Sequence, residues 1–209
     1  KARALDEASE AHAAALEEAA AEKAIALEQQ AIALESATAD KLEAELVAAV
    51  TWALEQESPV YFRMGGLLPL SESTGIATPY GLTPRLQGEK VAIVASGPLL
   101  AHEGLIAAES VAESGRPRPA VFTMPWISVG LDAPAQETLS RFDHVVVLEN
   151  HNQALAKYEK LKAQMLSSSA SVHRIGLNGI PANGQPAEVL AHHGVDATSI
   201  ERFIAGLHV

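Results

Sequence analysis

The sequence predicts an α/β protein: an open, mostly parallel sheet with helices on both faces, preceded by an Ala/Glu-rich helical segment. Three observations predict it. Beyond residue 89, short wholly apolar runs alternate with helical stretches, the pattern of parallel strands covered on both faces. Hydrophobic residues make up 48% of the 209-residue chain and aromatic residues only 4%, so the apolar surface is mostly Ala, Leu, Val and Ile, a mix suited to helices packed on a buried sheet. Residues 1–36 are rich in Ala and Glu and contain neither Gly nor Pro, a composition of high intrinsic helix propensity.

Taken in chain order, residues 1–36 form one or two long helices. Leu5, Leu16, Leu27 and Leu34 are too sparse for a heptad seam, so close Ala-mediated packing is expected there. Asp40 with Glu43 fits a capping box, and a helix follows over about 41–56, with Leu42, Leu46, Val50 and Leu54 repeating every four residues as one stripe. Ser58-Pro59 stops it, and the β-prone Val60-Tyr61-Phe62 reads as a strand ending at Arg63. Residues 65–88 hold five Gly and three Pro and read as an interdomain linker. The expected organisation is therefore a helical segment over 1–57, a strand and linker over 58–88, and an α/β domain over 89–209.

Within that domain the expected strands are Val91–Ala95, Pro119–Thr123, His144–Leu148 and Ser171–Ile175. Helices are expected up to Ser114, around 135–140, over 153–167, and near 187–192 and 198–207.

Charge and composition exclude several function classes. Four Lys/Arg against thirteen Asp/Glu in residues 1–57 leave −9 of the net −11 in that segment. An acidic chain is repelled by nucleic acid and by anionic membrane surfaces, so neither is an expected partner. No apolar run approaches the roughly 20 residues needed to cross a bilayer, and no secretory pattern opens the chain, so a cytoplasmic location is expected. The first residue is Lys1 rather than Met, which suggests a fragment or a processed product. With no Cys, disulfides, thiolate nucleophiles and Cys-based zinc sites are ruled out.

Few residues suggest chemistry. Ser96-Gly97 sits where the first strand of the α/β domain meets a helix N-terminus, a position that can receive an anion or serve simply as a turn. Glu149-Asn150-His151 ends a strand at the edge where open α/β sheets place function. Without a nucleophile or a second carboxylate motif nearby, a structural or interface role fits Glu149 and His151 better than acid–base work. His192 and His193 are adjacent, not the i, i+4 pair that two helical zinc ligands require, so no metal site is expected.

Several segments, in order, resemble the C-terminal domain of transketolase-like thiamine-diphosphate enzymes, a group that includes split transketolase subunits and deoxyxylulose-phosphate synthases. Val91-Ala92-Ile93-Val94-Ala95-Ser96-Gly97-Pro98 with Ala107-Ala108-Glu109 is similar to that domain's first strand, turn and helix. Pro59 to Arg63 looks like the last strand of the family's pyrimidine-binding domain. Phe122 to Asp132 is similar to the second strand and its Leu-Asp loop, and Val145 to His151 to the third strand with its terminal Glu-x-His. Arg174-Ile175-Gly176-Leu177, Asn183-Gly184 and His193-Gly194-Val195-Asp196 resemble the closing elements, so the likeness covers about residues 41–207. Two loops depart from it: Gln153-Ala154-Leu155-Ala156 stands where the family has a Gly-rich turn, and Val129-Gly130 where it has Lys-Pro.

The resemblance implies a domain that supports dimerisation and active-site architecture for two-carbon ketol transfer in an assembled enzyme. In that assembly Arg63 would bind a substrate phosphate; the alternative for Arg63 is a solvated charge at a strand end. No Gly-Asp-Gly followed by Asn is present to hold magnesium and diphosphate, nor any segment for the Glu that activates the cofactor. The expectation is no cofactor in this chain, with thiamine diphosphate and magnesium bound by other domains of the parent, and a homodimer or a catalytic transketolase subunit as partner. A different reading is an engineered or stand-alone α/β binding module headed by designed helices and without enzymatic activity.

Overall fold

Three consecutive apolar runs make the buried centre of one five-stranded sheet. A computed structural model describes residues 47, 49–62, 81–124, 126, 130–150, 157–177 and 179–208. The elements are β1 (Thr83–Leu86), β2 (Val91–Ala95), α1 (Pro98–Glu113), β3 (Ala120–Thr123), α2 (Ala133–Leu139), β4 (His144–Glu149), α3 (Lys157–Gln164), β5 (Ser171–Gly176), α4 (Pro186–His193) and α5 (Ala197–Ala205). Strand order is β1-β3-β2-β4-β5, with β1 antiparallel to β3 and the other pairs parallel. The fold is thus the open, mostly parallel α/β sheet that the alternating pattern predicts.

Alternation along each strand sends side chains to two cores. Val91, Ile93 and Ala95 of β2 join Val146 and Leu148 of β4 in a core with Leu100, Ile200 and Ile204, under α1, α4 and α5. Ala92 and Val94 join Val145 and Val147 in a second core with Leu139 and Leu161, under α2 and α3. Because both faces of β2 and β4 are covered, their sequences read as unbroken apolar runs rather than alternating ones.

α1 lies close to the sheet because its inward positions are small. Ala101, Gly104, Ala107 and Ala108 are buried along one stripe, and a Cβ on Gly104 would stand 3.2 Å from Ile93 Cγ2 and 3.4 Å from Leu148 Cδ1. Side chains also cap two helices, one of them from another element. Asp132 accepts from Ala135 N at 2.8 Å at the start of α2, whereas α5 is capped by Glu103 of α1, which accepts from Ala197 N at 2.7 Å.

Two expectations are corrected. Residues 65–88 are not linker throughout: Thr83–Leu86 is an edge strand, paired antiparallel to β3 with a register shift between Pro84 and Leu86. Pro84 sits at an edge, where a missing N–H is tolerated, so the Pro-rich composition concealed a strand. Val60 to Phe62 has no strand pairing; its β-prone side chains find no neighbouring strand, and Tyr61 is 87% exposed. Residues 49–54 are helical, within the helix expected over 41–56, and Trp52 packs edge-on against Trp126 with ring centroids 4.6 Å apart. The Ala/Glu-rich segment, Arg63 and most of the expected linker lie outside the described residues. Among the described residues no helix is long and apolar enough to cross a membrane.

Candidate functional site

In this strand order β3 lies on one side of β2, and β5 lies beyond β4 on the other. The connections leaving β2 and β4 therefore diverge, and the carboxyl ends of these two neighbours form the switch point where open α/β sheets hold ligands and catalytic groups. Ser96-Gly97 follows β2 there, and Glu149 ends β4. Ser96 N donates to Leu148 O at 3.1 Å, which stitches the two strand ends together.

Glu149 is 1% exposed. Its Oε2 accepts from Arg174 Nε at 3.1 Å and its Oε1 from Tyr158 N, in the first turn of α3, at 3.1 Å. The register that pairs Val147 with Arg174 and Glu149 with Gly176 brings the guanidinium to the carboxylate. Arg174 Nη2 also donates to Leu177 O at 3.3 Å. Gly176 makes room for this: a Cβ there would stand 2.8 Å from Glu149 O and 2.9 Å from Arg174 Nη2. A carboxylate at a helix N-terminus is further favoured by the helix dipole. With both oxygens accepting hydrogen bonds from the protein, Glu149 joins β4, β5 and α3 and is poorly placed to take a proton from a substrate.

The turn after β2 is built by Gly97, whose φ of 109° suits Gly. No side chain caps α1, and Ser96 Oγ is buried without a hydrogen-bond partner. Beside it, Arg85 of β1 donates Nε to Thr123 Oγ1 at 3.0 Å at the end of β3. The loop into α2 is held from α3: Gln164 accepts from Leu131 N at 2.7 Å and donates to Leu131 O at 3.0 Å. A Cβ on Gly130 would lie 2.6 Å from Gln164 Oε1, so the Gly at this departure from the family pattern is what lets Gln164 close on the loop.

Of the residues singled out in the sequence, Glu149 is at the switch point, while Arg63 and His151 lie outside the described residues. His193 Nε2 accepts from Ala182 N at 3.0 Å, and its ring meets that of His192 edge-on at 4.9 Å, at the end of α4. Among the described residues no group of three or more His, Cys, Asp or Glu could hold a metal. Among the described residues the one buried carboxylate at the switch point, Glu149, is already paired with Arg174. Sequence reasoning missed Arg174, Tyr158 and Gln164. A charged residue inside a strand, as Arg174 is, was the available signal.

No family model and no curated protein matches the chain. Solved structures do. A split-gene transketolase, solved as an inactive β4 tetramer, is 23% identical with a TM-score of 0.63, over 76% of this chain and 52% of that one. A transketolase from Campylobacter jejuni is 18% identical with a TM-score of 0.49, over 68% of this chain and 21% of that one. The fold defines an open, mostly parallel α/β domain with one antiparallel edge strand. More particularly it is transketolase-like, of the kind that forms the family's C-terminal domain. The chain spans about half the length of the split-gene chain it matches.

Proposed function

We propose that this chain supplies the C-terminal domain of a transketolase-type transferase, supporting assembly and active-site architecture while other domains carry out two-carbon ketol transfer between sugar phosphates. The observation that carries this reading is the likeness to the split-gene transketolase, at a TM-score of 0.63 over 76% of the chain. Glu149 at the switch point supports it, because its carboxylate is engaged in holding three elements together. Thiamine diphosphate and magnesium are held in this reading by residues outside the given sequence, where they supply the carbanion chemistry. The partner is a second copy or a catalytic transketolase subunit, and the compartment is the cytoplasm.

Mixing the chain with the catalytic subunit of a split transketolase tests this. A complex heavier than either component by sedimentation, with ketol transfer only in the mixture, is the expected result. Components that sediment separately would remove the reading.

Arg63 has its role only in that assembly. Arg63→Ala should shift the stability of the chain alone by no more than about 0.5 kcal/mol, as for a surface site. In the reconstituted enzyme it should raise KM for phosphorylated sugars by about 1.5–3 kcal/mol in binding, the worth of charge-assisted hydrogen bonds to an anion. Kinetics with phosphorylated and unphosphorylated substrates check this. An equal loss against both would make Arg63 a residue of the domain boundary.

A further inference from the structure

Away from the switch point, two histidines meet near the amino ends of the last two strands. His144 Nδ1 and His173 Nε2 are 3.0 Å apart, and His144 Nε2 lies 3.2 Å from His208 O. The His173 ring in turn meets the edge of Phe203 of α5, with centroids 5.6 Å apart. Thus β4, β5, α5 and the residue three beyond it are joined through two imidazoles.

The partners fix where the protons are. A carbonyl oxygen only accepts, so His144 carries its hydrogen on Nε2 and donates to His208 O. Neutral His144 then has a bare Nδ1, which accepts from His173 Nε2–H. One added proton is tolerated on the pair, because one ring can still donate to the other across the contact. A second is not, because two N–H groups would then point at each other across 3.0 Å.

We propose that the His144–His173 pair is a proton-operated latch, which fastens Phe203–His208 to the β4–β5 edge until a second proton drives the imidazoles apart.

The surroundings leave little to compensate a double charge. Beside His144, the Asp143 carboxylate is taken by Lys90 Nζ at 2.9 Å, and this hydrogen bond and charge hold the Lys90 ammonium above its ordinary value. Lys90 O accepts from His144 N at 3.1 Å. After α1, Arg116 adds a cation, donating to Leu207 O at 3.2 Å. α5 brings Phe203, preceded in sequence by Glu201 and Arg202. α4 places His193 in the same groove as His173, an open groove of about 580 Å³ that Phe203 and Arg174 also line, while Arg174 is paired with Glu149. Burial first, and the neighbouring His144 second, push His173 below the ordinary histidine value. A folded value below the unfolded one means that the unfolded chain binds the proton first. Stability from the latch is therefore full above about 6.5, the unfolded value, and declines as pH falls from there towards the folded value.

Histidine and backbone NMR of the full chain between pH 8 and 4.5 tests the latch. The His173 ring should titrate below the ordinary histidine range, and the amides of Phe203–His208 should move with the same midpoint. His173→Gln keeps a donor for His144 Nδ1 but cannot take up a proton, so it should abolish that acid-dependent movement. Amides of Phe203–His208 that stay fixed while His173 titrates overturn the proposal, as does a His173→Gln chain that moves in acid like the wild type. If the variant does not fold, the wild-type titration alone decides.

Discussion

Glu149→Ala is expected to destabilise the chain by about 3–5 kcal/mol, because it removes the carboxylate that pairs with the largely buried Arg174 guanidinium. The Arg174 side chain is 11% exposed and that of Glu149 2%, so water replaces the lost carboxylate only poorly. Leu177 O accepts from Arg174 Nη2 but carries no charge to offset it. The same substitution frees Tyr158 N at the start of α3, adding the loss of a capping acceptor. Glu149→Gln keeps one acceptor oxygen, for either Arg174 Nε or Tyr158 N, and sets an N–H group against the other donor. It should therefore lose less than Glu149→Ala while staying less stable than wild type. Replacing both partners at once, Glu149→Leu with Arg174→Met, should recover most of the loss, since apolar side chains of similar volume can replace a buried ion pair with little net cost. Urea unfolding with unchanged m-values checks the series. A Glu149→Ala chain within about 1 kcal/mol of wild type would show that the pair contributes no more than an exposed one.

Gly88→Ala should be nearly as damaging although it adds a single methyl group. A Cβ at Gly88 would stand 2.2 Å from Arg118 O, 2.3 Å from Pro119 C and 2.4 Å from Ala120 N. All three are backbone atoms at the entry to β3, so no side chain can turn aside to make room. The same crossing is fastened by Glu89 N donating to Arg118 O at 2.8 Å and by Arg118 Nε donating to Gln87 O at 3.1 Å. Moving the β1–β2 connection away breaks these bonds and disturbs the β1–β3 pairing, for a loss of about 3 kcal/mol, at the upper end for overpacking. Thermal unfolding of the variant checks this. A melting temperature unchanged from wild type would mean that the connection shifts freely.

The sequence revealed most where burial is two-sided. β2, β3 and β4 could be placed from Val91–Ala95, Val121–Thr123 and Val145–Leu148, because strands covered by helices on both faces must be apolar at every position. β1 could not be placed. Its residues, Thr83-Pro84-Arg85-Leu86, carry no strand pattern, and the pairing with β3 that orders them is a tertiary interaction. Val60-Tyr61-Phe62 erred in the other direction, since β-propensity expresses fit to a neighbouring strand and none is paired there. The candidate site was half legible. Glu149 announces itself as a carboxylate closing an apolar strand, but Arg174 lies 25 residues away, and only the β4–β5 register shows that the two meet. His144 and His173, 29 residues apart, were hidden for the same reason.

The proposal that this transketolase-like domain serves an enzyme whose cofactor is held by other domains is tested most directly by calorimetric titration of the purified chain with magnesium and thiamine diphosphate. No saturable heat is expected from the chain alone, because the one buried carboxylate described at the switch point is already paired with Arg174 and the sequence has no Gly-Asp-Gly motif followed by Asn. A dissociation constant in the micromolar range for the chain by itself would contradict it.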